Sequence, residues 1–191
     1  MKIENYHIIL ASNSPRRREL LSGLDLHYEV KVLPDIEESY PQNLPTEEIP
    51  LYIAAEKAAA YKSLMKDNDL IITADTVVVL GSEVLGKPSD HDEARRMLRK
   101  LSGQTHQVIT GVCLMTCNKE HSFGVTTDVT FKELTDEEIN YYVEKYQPLD
   151  KAGAYGIQEW IGYIGVTGLN GSYFNVMGLP VQRIYNELQN F

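Results

Sequence analysis

The feature that most constrains the fold is an apolar run from Leu70 to Leu80, interrupted near its middle by one carboxylate, Asp75. Apolar side chains occupy both alternating faces of this run, which is typical of a strand buried at the centre of a sheet. A carboxylate in such a place is costly unless it is paired or bound to a metal. We therefore expect Asp75 to face a cation, a metal ion or a water molecule that it can deprotonate. The alternative is a structural carboxylate paired with a neighbouring lysine or with backbone N–H groups.

Capping and turn residues divide the rest of the chain into alternating strands and helices. Ser14-Pro15 favours a helix start because the hydroxyl caps and the proline fits the first turn, and Thr135 with Glu138 forms a capping box. The predicted strands are 8–11, 28–33, 70–80, 84–85, 105–115 and 122–132, with one or two short strands within 150–171. The predicted helices are 16–22, 46–66, 90–101, 135–146 and 180–190. Since hairpins and crossover helices both occur, we expect an α/β fold with a mixed sheet flanked by helices, in a single domain over 1–191.

The charge balance limits the partners of the chain. Eighteen Lys and Arg residues stand against 27 Asp and Glu, a net charge of −9, which disfavours non-specific duplex binding because that relies on many cationic phosphate contacts. No apolar run approaches the roughly 20 residues of a membrane span, and no signal peptide is evident. We therefore expect a cytoplasmic protein with no nucleic-acid or membrane partner. Cys113 and Cys117 lack redox and zinc spacing and are expected to be packed or free thiols.

A cluster of cationic and hydroxyl residues around the first helix favours an anion site. The segment Ser12-Asn13-Ser14-Pro15-Arg16-Arg17-Arg18 places hydroxyls, free N–H groups and guanidinium groups where the helix dipole attracts negative charge. Lys57, among alanines, and Lys87, in Gly86-Lys87-Pro88, could each add a point charge for phosphate. The alternatives are a solvated basic turn and ordinary surface lysines.

Two further segments could contribute to the chemistry. Asp35-Ile36-Glu37-Glu38, together with Asp75, offers the hard oxygen ligands that Mg²⁺ or Mn²⁺ prefers, although an acidic loop is usually only solvated. The segment from Asp150 to Gln158 is rich in glycine and alanine, which permits close approach of its backbone to a ligand. Gln158 can donate and accept hydrogen bonds, which suits the edge of a nucleobase; an ordinary irregular loop is the alternative.

Taken together and in this order, these segments resemble the Maf family of nucleoside triphosphate pyrophosphatases. The stretches that carry the resemblance are 11–17, 35–38, 57–58, 74–76, 86–88, 101–106, 150–158 and 178–180. The resemblance implies an elongated curved sheet with two lobes around a cleft, as in Maf and ITPase-like proteins. It also implies hydrolysis of a nucleoside triphosphate between the α and β phosphates, a divalent metal cation (Mg, Mn or Co), and a homodimer. The form Gly156-Ile157-Gln158 resembles the branch that acts on dTTP and UTP.

The resemblance implies roles for four of the candidate residues. Asp75 is the proton acceptor, and Arg16, Thr76 and Gln158 tune substrate choice. At the other positions, the charge of the basic residues suits the triphosphate and the carboxylates suit a metal ion. The expected catalytic residues are Asp75, Glu37, Lys57 and Lys87; the expected substrate-binding residues are Ser12, Ser14, Arg16, Arg17, Thr76 and Gln158; the expected metal ligands are Asp75, Glu37 and Glu38. Whether Asp75 acts as the base or as a metal ligand, and whether Glu37 or Glu38 is the ligand, stays open at this point.

Two other function classes compete with an enzyme. A non-catalytic nucleotide-binding regulator of septum formation and cell division would use the same basic segment, but it has no need of Glu37 and Asp75 beside its phosphates. A single-stranded nucleic-acid binder could use the 12 tyrosines as stacking platforms. The net charge of −9 and the lack of a basic stripe count against the binder.

Overall fold

The computed structural model describes residues 5–34 and 36–191, so Asp35 of the predicted acidic cluster lies outside the described residues. In this part of the chain the strands are β1 His7–Leu10, β2 Tyr28–Val30, β3 Asp69–Leu80, β4 Glu83–Leu85, β5 Thr105–Met115, β6 Glu120–Phe131 and β7 Val166–Asn170. The helices are α1 Pro15–Ser22, α2 Ile49–Ala59, α3 His91–Leu101, α4 Asp136–Tyr146, α5 Trp160–Gly165, α6 Tyr173–Met177 and α7 Val181–Asn190. Short 3₁₀ turns lie at Lys62–Leu64 and Ala152–Ala154.

The sheet is mixed, as predicted. Its order within the described residues is β2-β1-β3-β5-β6-β7, with β4 paired to β3. Strand β1 is parallel to β2 and β3, with Leu10 opposite Val30 and Ile72, whereas β4 is antiparallel to β3 and β7 is antiparallel to β6. The parallel pairs need crossover segments and the antiparallel pairs allow tight turns, which is why helices and hairpins alternate along this chain.

Local signals account for three helix starts. Ser14 caps α1, with its hydroxyl accepting a hydrogen bond from the Arg17 N–H, and Pro15 stands in the first turn. Asp90 caps α3 in the same manner. Thr135 and Glu138 form the predicted capping box at α4, each side chain accepting from the backbone N–H of the other.

The described residues divide into two compact units, each with its own apolar core. The first unit comprises the described residues up to Asp75, Thr110–Val125 and Gly178–Phe191. Helix α2 packs in this unit against β1, the first part of β3 and the last part of β5. The buried residues of this cluster are Ile9, Ala54, Ala58, Tyr61, Ile71, Cys113 and Met115.

The second unit comprises Thr76–Ile109 and Thr126–Met177. Helices α3 and α4 and the segment that leads into α5 bury their apolar faces in its core. The largest residues of this cluster are Met97, Phe131, Tyr142 and Tyr155. The expectation of a single domain over 1–191 stays a prediction.

The predicted boundaries of two elements, α2 and β2, are wrong. Helix α2 begins at Ile49 and ends at Ala59 rather than spanning 46–66, and its N-cap residue Glu48 makes no side-chain capping bond. Two residues beyond the end of the helix, Tyr61 is buried, and its hydroxyl donates to the Lys31 carbonyl. Strand β2 ends at Val30 because the backbone after it takes other partners, with the Leu33 N–H donating to the Tyr61 hydroxyl at 3.0 Å. Within 150–171 a single strand, β7, is accompanied by the unpredicted helix α5.

In the part of the chain that the structure describes, no helix combines the length and the apolar character of a membrane span. Both cysteines are free, and Cys113 is buried, as predicted. Burial raises the pKa of the Cys113 thiol to about 11, so this sulfur stays protonated and packs as a small apolar group.

Candidate functional site

In the first unit, the turn before α1 is organised by its own hydroxyl groups. Ser12 is buried, and its Oγ accepts a hydrogen bond from the Ser14 N–H at 3.2 Å. The Ser14 Oγ accepts from the Arg17 N–H at 3.4 Å. Both predicted substrate-binding serines therefore shape the helix start, while Arg16 is partly exposed on its first turn.

Arg17 fixes the backbone next to Asp75. Its Nη1 donates to the Ala74 carbonyl and its Nε donates to the Gly178 carbonyl, both at 2.8 Å. Burial lowers the pKa of the Arg17 guanidinium, and the negative charge of Asp75 opposes this shift. Because two N–H groups of its guanidinium donate to carbonyls, Arg17 fixes the backbone at Ala74, in the middle of the apolar run, and at Gly178. Its predicted contact with substrate stays a prediction.

Lys57 brings two carboxylates together. Its Nζ lies 3.1 Å from Asp75 Oδ1 and 2.8 Å from Glu38 Oε1. The side chains of Lys57 and Asp75 are each 13% exposed, whereas that of Glu38 is 46% exposed. Asp75 therefore faces a cation, the ammonium group of a lysine 18 residues earlier in the chain. This pair fits both the expected functional carboxylate and the alternative of a structural carboxylate paired with a lysine.

The close packing of α2 explains how Lys57 reaches Asp75. Ala54 and Ala58 are fully buried, which lets the helix backbone approach the sheet. The Thr73 hydroxyl donates to the Ala54 carbonyl at 2.6 Å and fixes the helix against β3. At Gly111 a Cβ atom would lie 2.3 Å from the Pro50 carbonyl carbon, so only glycine permits this approach. Lys57, one turn beyond Ala54, then lies at the level of Asp75.

The arrangement of carboxylates bears on the predicted metal. Among residues 5–34 and 36–191, no three His, Cys, Asp and Glu side chains are grouped so that they could hold a metal ion. Asp75 and Glu38 nevertheless share one positive group, the Lys57 ammonium, although Glu37 and Glu38 are both exposed. A pair of carboxylates fits Mg²⁺ in its usual mode, in which one or two carboxylates are completed by water and substrate phosphates.

In the second unit, three predicted substrate-site residues occupy different elements. Thr76 follows Asp75 on β3 and is partly buried, and Lys87 is exposed just after β4. Gln158 is partly buried ahead of α5, and its Oε1 atom is buried with no hydrogen-bond partner among the described residues. An unsatisfied buried amide oxygen is costly in isolation, which favours a donor from a ligand at this position.

The segment that carries Gln158 is held by charged and aromatic residues that sequence reasoning missed. Lys151 is 8% exposed, and its Nζ lies 2.9 Å from Asp150 Oδ1 and 3.3 Å from Glu159 Oε1. Glu159 Oε2 accepts a hydrogen bond from the Tyr142 hydroxyl, which itself accepts from the Gly156 N–H at 3.0 Å. The sequence signal that could have indicated these contacts is Lys151, a charged residue followed by small and apolar residues.

The second unit also contains a buried histidine, His106, whose structural role the sequence did not indicate. His106 Nε2 lies 2.6 Å from the Tyr155 hydroxyl, and its ring packs edge-on against Phe131 and Tyr155. Burial lowers the pKa of His106 to about 4. His106 is therefore neutral near pH 7 and serves to anchor Tyr155.

Comparison with known proteins places these features in a family. A family model described as Maf-like protein matches residues 7–191. A relative from Phocaeicola vulgatus, named dTTP/UTP pyrophosphatase, is 67% identical over 187 residues, which cover 98% of this chain and 97% of the relative. Two further relatives carry the same name. The one from Parabacteroides distasonis is 60% identical over 99% of this chain and 98% of the relative. The one from Porphyromonas gingivalis is 56% identical over 99% of this chain and 96% of the relative. The chain therefore belongs to the Maf-like protein family.

Proposed function

We propose that this protein is a nucleoside triphosphate pyrophosphatase that hydrolyses dTTP and UTP to the monophosphate and pyrophosphate, and so removes such nucleotides from the cellular pool. The observation that carries the proposal is the contact of Lys57 with both Asp75 and Glu38. A partly buried carboxylate beside a lysine provides a proton acceptor and a positive charge in one place. The names of the three relatives support the same reaction and the same nucleotides.

The proposed reaction breaks the anhydride bond between the α and β phosphates. A water oxygen forms the new bond to phosphorus, the bridging oxygen leaves with the other product, and Asp75 accepts the proton released by the water. Lys57 and Arg16 are proposed to offset the negative charge of the triphosphate, and Lys87 is proposed to contribute a further point charge. Phosphoryl transfer depends mainly on positioning and charge stabilisation, which is what this residue set offers.

A divalent cation (Mg²⁺, Mn²⁺ or Co²⁺) fits this proposal, with Asp75 and Glu38 as its protein ligands. When bound, it would neutralise phosphate charge and lower the pKa of a coordinated water. Glu38 is favoured over Glu37 as the second ligand, because Glu38 shares Lys57 with Asp75.

The preference for thymine and uracil is proposed to rest on Gln158. These bases present an N3–H donor between two carbonyl acceptors. The carboxamide of Gln158 can accept from N3–H through Oε1 and donate through Nε2 to a carbonyl. Cytosine has no hydrogen on N3, so it would leave the buried Oε1 atom unsatisfied. The homodimer and the cytoplasmic location implied by the family resemblance stay predictions.

A substrate panel tests the proposal. Purified protein is given dTTP, UTP, dCTP, CTP, dATP and GTP, each with Mg²⁺, Mn²⁺, Co²⁺ or a chelator, and pyrophosphate release is measured. The proposal predicts metal-dependent release that is fastest with dTTP and UTP, and a monophosphate as the second product. Release of inorganic phosphate in place of pyrophosphate would contradict it, and no turnover of any triphosphate would favour the non-catalytic regulator.

A further inference from the structure

In the second unit, an ion pair closes the segment that carries Gln158 into a loop. The ammonium of Lys151 at its start lies 3.3 Å from Glu159 Oε1 at its end. The Glu159 N–H also donates to the Gly156 carbonyl at 3.0 Å, and Glu159 is the N-cap residue of α5. Because Lys151 is 8% exposed and the Glu159 side chain is 20% exposed, the pair is largely shielded from solvent. Removing one partner of a largely buried ion pair destabilises the folded protein, because the other charge is left buried without its counter-charge.

The second carboxylate oxygen of Glu159 ties the loop to α4. Oε2 accepts a hydrogen bond from the Tyr142 hydroxyl, and the hydroxyl oxygen accepts from the Gly156 N–H at 3.0 Å. Burial raises the pKa of Tyr142, and the hydrogen bond to Glu159 raises it further. Tyr142 therefore remains a protonated donor, and its oxygen keeps a lone pair for Gly156. One carboxylate thus fixes the two ends of the loop and, through Tyr142, its middle.

Gln158 lies inside this arrangement. A Cβ atom built on Gly156 would lie 3.0 Å from Gln158 Nε2, 3.1 Å from Lys151 Cε and 3.2 Å from Glu159 Cδ, so the three side chains crowd around one glycine. On the other side, a Cβ atom on Gly162 would lie 1.8 Å from the Ile157 carbonyl oxygen. The Gln158 carboxamide therefore lies beside the ion pair, and the backbone just before it packs closely against α5.

We infer that Glu159 is a positioning residue for nucleobase choice: its contacts with Lys151 and Tyr142 hold Gly156 and Gln158 so that the Gln158 carboxamide faces the base in one orientation. The inference rests on the proposed function, since it names what keeps the proposed base-reading residue in place. Glu159 itself need not touch the nucleotide. Nucleobase selectivity then depends on the Lys151–Glu159–Tyr142 contacts as well as on Gln158.

The test compares two variants with a charge-matched control. Glu159→Gln removes the charge that pairs Lys151 with the far end of the loop and leaves Lys151 with Asp150, 2.9 Å away, at the near end. Tyr142→Phe keeps the ring but removes the link to Gly156. Glu137→Gln removes one charge from the exposed first turn of α4 in the same unit. The quantity measured is the ratio of kcat/KM for dTTP to kcat/KM for dCTP. Partial unfolding lowers both rates by the same factor, so this ratio does not respond to a loss of folded protein.

The expected result is a fall in the dTTP-to-dCTP ratio of about tenfold in both Glu159→Gln and Tyr142→Phe, since a small misplacement of a recognising group costs tenfold or more. Faster hydrogen exchange at the Gly156 amide in Tyr142→Phe accompanies it, while Glu137→Gln keeps the wild-type ratio. An active wild-type protein whose ratio is unchanged, within twofold, in both variants overturns the inference and leaves the proposed function intact. A wild-type protein that releases no pyrophosphate overturns both.

Discussion

The buried histidine of the second unit makes the stability of the protein depend on pH. His106 is 1% exposed, and no partner for its Nδ1 atom is found within residues 5–34 and 36–191. Burial lowers its pKa from the ordinary 6.5 to about 4. Below pH 6.5 the unfolded chain takes up a proton at His106 and the folded chain does not, so stability falls as the pH drops through this window. At about 1.4 kcal/mol for each pH unit, protonation of His106 should lower the free energy of unfolding by about 3 kcal/mol between pH 7 and pH 4.

Urea unfolding at pH 7 and pH 4.5 measures this effect. The reference is His106→Gln, which retains a nitrogen that can bond to Tyr155 but has no charge to gain. Between pH 7 and pH 4.5, the free energy of unfolding should fall by about 2–3 kcal/mol more in the wild-type protein than in His106→Gln. Carboxylate titration affects both proteins equally, so the difference reports on His106. The control His27→Gln, at an exposed histidine, should show the wild-type loss. Equal losses in wild type and His106→Gln, or a proton NMR titration of His106 centred near 6.5, would refute the reasoning.

Three further predictions concern packing, the metal ligand and the base. Gly111→Ala should lower the free energy of unfolding, measured by urea denaturation, by about 1–3 kcal/mol, because a Cβ would lie 2.3 Å from a backbone carbon of α2. The control is Gly86→Ala, where no heavy atom lies within 4 Å of the added carbon. It should change the free energy of unfolding by less than about 0.5 kcal/mol. Glu38→Gln should reduce pyrophosphate release by about a hundredfold, while the exposed neighbour variant Glu37→Gln should stay near wild type; the reverse order would assign the role to Glu37. Gln158→Ala should alter the ratio of dTTP to other nucleotides more than the rate on dTTP itself, and equal losses on every nucleotide would count against base reading.

The features that were predictable from the sequence are those set by nearby residues. Ser14, with Pro15 behind it, is sufficient to start α1, because capping involves a hydroxyl and an N–H only a few positions apart. The apolar residues on both faces of 70–80 are sufficient to place β3 inside the sheet. The same physics made Asp75 conspicuous, since a carboxylate in such a strand needs a counter-charge.

The partners of these residues were harder to predict. Glu37 and Glu38 are adjacent acids on one loop, and no local pattern distinguishes the one that meets Lys57. Arg17 bonds to the carbonyls of Ala74 and Gly178. Every residue has such a carbonyl, so composition and spacing carry no information about which carbonyls are chosen.

The loop before α5 illustrates the same limit for tertiary contacts. Lys151 and Glu159 lie in a stretch without helical or strand periodicity, so nothing local indicates that their side chains meet. Tyr142 looks like one more apolar residue on the buried face of α4. Its hydroxyl becomes important only because the fold brings Gly156 and Glu159 to it.

The most direct test of the central claim, that Asp75 serves pyrophosphate chemistry, is the rate of pyrophosphate release from dTTP by wild-type protein and by Asp75→Asn. Asparagine keeps the size of the side chain and removes its basicity, and Lys57 retains Glu38 as a partner. We expect a loss of about a hundredfold or more in kcat, together with a lower but still cooperative unfolding transition, because Asp75 is one partner of a largely buried ion pair. An Asp75→Asn protein that releases pyrophosphate at a near wild-type rate would contradict it.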